Sequence, residues 1–254
     1  MAEIIAGRNP VLEALRAGRS MSKILLDKNA ELGSKVAEIV DLAKNRTVPV
    51  EFVERYIIDR QSPAGVNQGI LAYAAVKGYV SLYDLIRIPQ KQKESALYVV
   101  LDGIEDPQNF GAILRTADAT GVHGVIVRSR RAVGITPAVI KASAGAVEYV
   151  PVASVANIAQ AIEIFKKSNI WVIGIDMTGE LDYIKVDFTL PSAIVIGSEG
   201  KGLSALVKKR CDVLASIPMK GKISSLNASV AAAVVMYEAL RQRRSQLTSI
   251  VSFR

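Results

Sequence analysis

Short apolar runs alternate along this chain with stretches whose apolar positions recur every three or four residues. From Ser95 onward the runs are ALYVVLDG (96–103), GVIVRS (124–129), IWVIGID (170–176), AIVIGS (193–198) and VLASIP (213–218). Between and after them, helical spacing covers 111–120, 136–145, 155–168, 203–210 and 227–244. Strands so uniformly apolar, separated by helices, predict a mostly parallel sheet covered on both faces. Sheets of that kind bind ligands at the carboxyl ends of their strands.

The front of the chain repeats the alternation on a smaller scale. Residues 6–19 place Val11, Leu12 and Leu15 at helical spacing, with Asn9 as the expected cap, Pro10 at the first helical position and Gly18 as the stop. A strand over 23–27, a helix over 30–44, a strand over 48–53, a short helix near 54–60 and a strand over 68–76 follow. The segment GYVSLYDLIRIPQKQKES loses this regularity and turns Gln/Lys-rich. The chain therefore divides into a small α/β unit over 1–76, a linker over 77–95 and a larger α/β domain over 96–254.

Composition narrows the chemistry. The 254 residues are 50% hydrophobic and 22% charged, which suits a soluble globular protein. No apolar run approaches the roughly 18 residues of a membrane span, and the N-terminus lacks the charged-then-apolar order of a signal peptide, so a cytoplasmic protein is expected. Cys211 and His123 are the only residues of their types. A disulfide within the chain is thereby excluded, and a zinc cluster or a Ser-His pair is not expected; both residues read as ordinary packing positions. The net charge of +8 favours a polyanionic partner, and residues 96–254 carry 18 Lys and Arg against 13 Asp and Glu. Arg128, Arg130, Arg131 and Arg8 are candidate phosphate contacts. The basic stretch RQRRSQ (241–246) reads as the solvated end of the last helix.

Three polar loops follow the strands. The first, DGIEDPQNFGAILRTADATG (102–121), leads through Asn109 into a helix on which Arg115 is a lone cation among Ile113, Leu114, Ala117 and Ala119. The second, IGSEGKGLS (196–204), holds Glu199 among three glycines that allow close backbone approach. It has neither the Gly-Lys-Ser/Thr of a P-loop nor the dinucleotide order of glycines. The third, IPMKGKISSLNAS (217–229), sets Ser224, Ser225, Asn227 and Ser229 at the mouth of an Ala/Val helix. That is more polar groups than one helix start uses as caps.

In order and spacing these loops resemble the three motifs of the SpoU class of RNA ribose 2'-O-methyltransferases, also called the TrmH family, over residues 97–244. The front, AGRNPVLEALRAG through NQGILAYAA, resembles the small substrate-binding domain of members that methylate a guanosine of large-subunit ribosomal RNA. Many such members carry His before the QG pair, where this chain has Asn67. The resemblance implies a trefoil-knotted α/β methyltransferase domain, active as a homodimer on 23S rRNA with S-adenosylmethionine and no metal. It implies cofactor contacts from Gly197, Ile217, Leu226 and Met219, and catalytic or loop-fixing roles for Arg115, Asn109, Glu199, Ser225 and Asn227. The alternatives are a tRNA ribose 2'-O-methyltransferase and a non-catalytic RNA-binding or ribosome-assembly protein.

Overall fold

The computed structural model describes residues 2–30, 33–62, 67–130 and 132–251, with side chains described as far as residue 246. In chain order the elements are β1 (Ala2–Ala6), α1 (Arg8–Arg16), β2 (Met21–Asp27), α2 (Ser34–Asn45), β3 (Val50–Val53), α3 (Arg55–Gln61) and β4 (Ile70–Ala75). They continue with α4 (Leu82–Ile86), α5 (Ile88–Gln92), β5 (Leu97–Asp102), α6 (Pro107–Ala119), β6 (Gly124–Arg128), α7 (Pro137–Ala142), β7 (Val152–Val155) and α8 (Ile158–Lys167). The last are β8 (Trp171–Ile175), β9 (Leu181–Asp182), β10 (Ser192–Gly197), α9 (Ala205–Arg210), β11 (Val213–Ser216) and α10 (Ala228–Val251). Contacts divide them into two units. One runs up to Gly78 and takes in Ile135–Tyr149; the other comprises Tyr79–Gly134 and the residues from Val150 on.

In the first unit the strand order is β1-β4-β2-β3, with β4 antiparallel to both neighbours and β2 parallel to β3. The α1 face of Val11, Leu12, Ala14 and Leu15 is buried, as the helical spacing predicts. The helix is capped by Gly7 at φ 105°, so Asn9 is not its cap but lies within its first turn. Pro10 sits one step deeper still, where an amide hydrogen has no helical partner to lose. Strand β1 was not predicted: AEIIA is too short to show a period. Asn67 is fully buried and holds the turn before β4. Its amide donates to Asp59 Oδ1 at 2.7 Å, and its Oδ1 accepts from the Gly69 N–H at 2.9 Å. The hydrogen bond from Asn67 keeps the Asp59 carboxyl below its ordinary range, against a smaller opposing effect of burial. Arg8 is tied to the same turn, its backbone N–H donating to Gln68 Oε1 at 2.9 Å.

The segment 135–149 is fastened into this unit by a buried ion network. Arg19 donates to Glu148 Oε1 at 2.7 Å, to Ala75 O at 2.8 Å and also to Glu3. Lys77 Nζ lies 3.6 Å from Glu148 Oε2. The Arg19 and Glu148 side chains are 6% and 1% exposed, so each charge depends on the other.

The second unit is a seven-stranded sheet, β7-β6-β5-β10-β8-β11-β9, parallel at every pairing. All six β5 residues are buried, the mark of a central strand covered on both sides. Tyr98 and Val100 point to the face packed by Ile158, Ile162, Phe165 and Val207, and the Tyr98 and Phe165 rings stack at 5.1 Å. Helices α6 and α10 pack against one another, burying Phe110, Ile113, Leu114, Val235, Met236 and Ala239. The expected linker residues fold as α4 and α5, and Leu82 and Leu85 join the core of this unit. Strands β7 and β9 were not foreseen, at four and two residues too brief for a pattern.

His123 and Cys211 occupy packing positions. His123 is buried before β6, its Nδ1 accepting from the Leu97 N–H at 3.1 Å, and desolvation lowers its pKa. Burial pushes the Cys211 thiol up to about 12. The 241–246 stretch corrects its sequence reading, because Arg243 is not solvated. Its guanidinium donates to the carbonyls of Ser95 (2.5 Å), Ala96 (2.8 Å), Phe188 (2.8 Å) and Leu190 (3.2 Å), and burial lowers its pKa to about 10.

Replacing Arg19 by Met leaves the nearly buried Glu3 carboxylate without its cation and Glu148 with Lys77 alone. The expected loss is about 3 kcal/mol or more, read as a lower urea midpoint, whereas a wild-type midpoint would refute the role given to this network.

Candidate active site

The order in which strands are added reverses between the parallel neighbours β5 and β10: β5, β6 and β7 succeed one another toward one edge, and β10, β8 and β11 lie on the other side. Such a switch point opens a crevice at the strand carboxyl ends. There Asp102, Gly197 and Asp176 stand side by side, with Gly197 in register with Asp102. Two cavities occupy the crevice, one of about 290 Å³ and one of about 310 Å³.

The strand-end aspartates brace the glycine-rich loop. Asp102 Oδ2 accepts from the Ser204 N–H at 2.8 Å, and Asp176 Oδ2 accepts from the Leu203 N–H at 3.4 Å. Gly202 N–H closes the turn on Ser198 O at 2.8 Å. At Gly197 a Cβ would lie 2.2 Å from the Gly202 carbonyl carbon, so only glycine allows the loop to fold back on its own strand. Gly202, at φ 63°, has the Asp176 carboxylate 2.9 Å from where its Cβ would be.

The three polar loops converge on one carboxylate. Glu199 Oε1 accepts from Asn109 Nδ2 at 3.0 Å, from Asn227 Nδ2, and from the Ala228 N–H at 3.3 Å. Asn227 Nδ2 also reaches Asn109 Oδ1 at 2.9 Å. Asn109 is positioned by Asp106, which caps α6 by accepting from the Gln108 and Asn109 N–H groups. Asn227 caps α10 in turn: its Oδ1 accepts from the Ser229 N–H at 2.9 Å, the Val230 N–H at 3.3 Å and the Ser229 hydroxyl at 2.6 Å. One residue thus suffices as the cap, while Ser224 and Ser225 line the smaller cavity.

Gly197, Ile217, Met219 and Leu226 line that same cavity with Ser225 and Glu199. Asn109 lines the second cavity, and Ser198, Glu199 and Lys201 line both. Asn227 lines neither and acts through its bonds to Asn109 and Glu199. Arg115 also lines neither: it is exposed on α6, six residues and so about 9 Å along the axis from Asn109. Among the described residues its guanidinium has no ion-pair partner. Arg128 and Arg130 lie at and just beyond the end of β6, in a loop joined to the second cavity's wall by the Val133 N–H donating to Ile104 O at 3.1 Å. Arg131 lies outside the described residues.

Sequence reasoning missed Asp176, Thr178 and Lys208, which line the smaller cavity. The signal was present in IWVIGID, where an aspartate ends an apolar strand. Lys208 Nζ donates to Asp176 Oδ1 at 2.9 Å, and the Thr178 hydroxyl donates at 2.7 Å. Burial raises the pKa of Asp176, but these donors outweigh it and hold the carboxyl below its ordinary range. Among the described residues no His/Cys/Asp/Glu group could hold a metal ion, and no helix is long and apolar enough to cross a membrane.

Residues 96–237 match the SpoU rRNA Methylase family, and residues 4–80 match the RNA 2'-O ribose methyltransferase substrate binding family. A Bacillus subtilis protein described as a TrmH family tRNA/rRNA methyltransferase is 43% identical over 241 residues, which cover 95% of this chain and 96% of its own. The crystal structure of the SpoU methyltransferase AviRb from Streptomyces viridochromogenes with the cofactor AdoMet superposes with a TM-score of 0.80 at 30% identity. That match covers 96% of this chain and 91% of AviRb. A structure describing 2-OH methylation of C/U34 on tRNA matches at a TM-score of 0.55 and 28% identity, over 59% of this chain but 98% of its own.

A folded-state pKa lowered at Asp176 adds stability at neutral pH that disappears as pH falls below the ordinary value of 3.8 and through the lowered one. Lys208→Met is therefore expected to melt below wild type at pH 7, with a gap that narrows on acidification. A gap constant across that range in paired melting curves would exclude the pair's electrostatic role.

Proposed function

Because the chain belongs to the SpoU, or TrmH, family of RNA methyltransferases, we propose that it methylates a ribose 2'-hydroxyl of 23S rRNA, with a guanosine as target. The observation that carries this reading is the meeting of all three polar loops at Glu199, on the wall shared by the two cavities. S-adenosylmethionine fits the smaller cavity in its chemistry. Ile217, Met219 and Leu226 would hold apolar surface, while the Glu199 carboxylate suits a molecule bearing sulfonium and ammonium charge. When bound, the cofactor supplies an electrophilic methyl group on sulfur.

Placement is then the main task of the chain, since a well-aligned intramolecular geometry lowers the barrier without acid, metal or covalent help. Glu199 Oε1 is taken by three donors, whereas Oε2 accepts from no described residue. That free oxygen receives the hydrogen bond of the ribose 2'-hydroxyl, turns its lone pair toward the first cavity and takes up the hydroxyl proton as the methyl group is transferred. Arg115 stays protonated, as guanidinium groups in proteins do, so it is no general base. Its exposed charge contacts the ribose-phosphate backbone and favours the developing alkoxide. Arg128 and Arg130, on the loop braced to the second cavity, meet phosphates.

The front part, residues 1–76, selects the RNA. Support comes from its match to a substrate-binding family over residues 4–80. Asn67, buried and spent on its own turn, leaves RNA contact in that region to exposed neighbours. A cytoplasmic homodimer with a trefoil knot completes this reading, on the strength of the family resemblance.

Labelled S-adenosylmethionine offered to unmodified 23S rRNA and to bulk tRNA should mark the rRNA. Label only in tRNA would overturn the assignment of the front domain, and RNA binding without label in either would favour a non-catalytic assembly protein. Arg115→Ala should lower the rate about 10²-fold or more, as loss of a charge-stabilising donor does. Near-full activity in Arg115→Lys would remove any special role for the guanidinium.

A further inference from the structure

The second cavity is bounded by Gly103–Asp106, Asn109 and the loop Ser198–Lys201, and it opens beside the smaller cavity. Its charged lining is Glu105, Asp106 and Glu199 against one cation, Lys201. Two of the carboxylates are engaged: Asp106 caps α6, and Glu199 Oε1 gathers the loops. Lys201 is not. It is exposed and makes no hydrogen bond or ion pair with any described residue, although three carboxylates line the same space.

Its backbone, by contrast, is fixed. Lys201 lies between Gly200 at φ 78° and Gly202 at φ 63°, in a turn closed by the Gly202 N–H to Ser198 O bond and wedged against Asp176. A rigid turn thus holds a free ammonium at the seam of two cavities, one of them lined otherwise by negative charge. A nucleotide entering this space brings a phosphodiester that the three carboxylates would repel. A single mobile cation on a fixed stem is a suitable point contact for such a group.

We infer that the second cavity is the subsite for the target nucleotide and that Lys201 positions it by contacting the phosphodiester adjoining the reacting ribose. This inference rests on the methyltransferase reading above. Lys201 is a positioning residue, and its contribution lies in RNA placement rather than in cofactor binding.

The test compares wild type, Lys201→Ala and Lys201→Arg on whichever of 23S rRNA or bulk tRNA accepts label. Steady-state kinetics, calorimetric S-adenosylmethionine binding, filter binding of the same RNA at several salt concentrations and melting curves are measured for each. Lys201→Ala should raise KM for RNA about tenfold, flatten the slope of log affinity against log salt by about 0.7–0.9, and leave cofactor affinity and melting temperature unchanged. Lys201→Arg should recover most of the loss. An unchanged RNA KM and salt slope in Lys201→Ala would overturn the inference, as would weakened cofactor binding with RNA affinity intact, which would place the ammonium on the cofactor's carboxylate. Absence of transfer by the wild-type protein itself would instead sink the methyltransferase reading, and the two failures are read separately.

Discussion

A single carboxylate oxygen, Glu199 Oε1, receives Asn109 from the first polar loop and both Asn227 and the Ala228 N–H from the third. Hydrogen bonds to a charged acceptor are the stronger kind, and those from two asparagine amides also fix the direction of the acceptor. Everything else at the crevice follows from this constraint. Helix α6 is aimed by Asn109 and its cap Asp106, and α10 starts where Asn227 permits. Glu199 lines both cavities.

The loop that presents Glu199 has little freedom of its own. Asp102 and Asp176, both at strand ends and nearly buried, accept from consecutive backbone amides of that loop. Gly197 lets the chain double back within van der Waals limits that no side chain would meet. The sheet therefore sets the position of the loop, and the loop sets the position of the chemistry. Such placement on strand ends, supported from behind, is what a reaction governed by alignment requires.

Much of this was legible in the residues. The parallel sheet showed in the unbroken apolar runs of β5 and β10, and the cavity wall showed in the glycines and hydroxyls that follow β10 and β11. Other features were hidden for physical reasons. A buried histidine or asparagine has no period to betray it, and Asn67 shows its turn-holding role only through its partners Asp59 and Gly69. Strands of two to five residues, such as β9 and β1, carry too few positions for alternation to register. The allegiance of 135–149 depends on Glu148 meeting Arg19 across 129 residues of chain, which no local window contains. Arg115 stood out in sequence as a lone cation on an apolar helix, and its exposure on α6 keeps it apart from the junction that gathers the other residues.

Arg243 carries a consequence of a different kind. Its guanidinium closes over the carbonyls of Ser95 and Ala96, at the threshold of the first strand of the large sheet, although almost 150 residues of chain separate them. Asn227, sixteen residues earlier, completes the junction at Glu199. During synthesis the bond at Glu199 awaits the emergence of Asn227 at the start of the last helix, and the bonds to Ser95 and Ala96 await Arg243 within it. A nascent chain can thus assemble most of its sheet before the junction at Glu199 closes, and a chain cut before Arg243 would lack the lock on that helix.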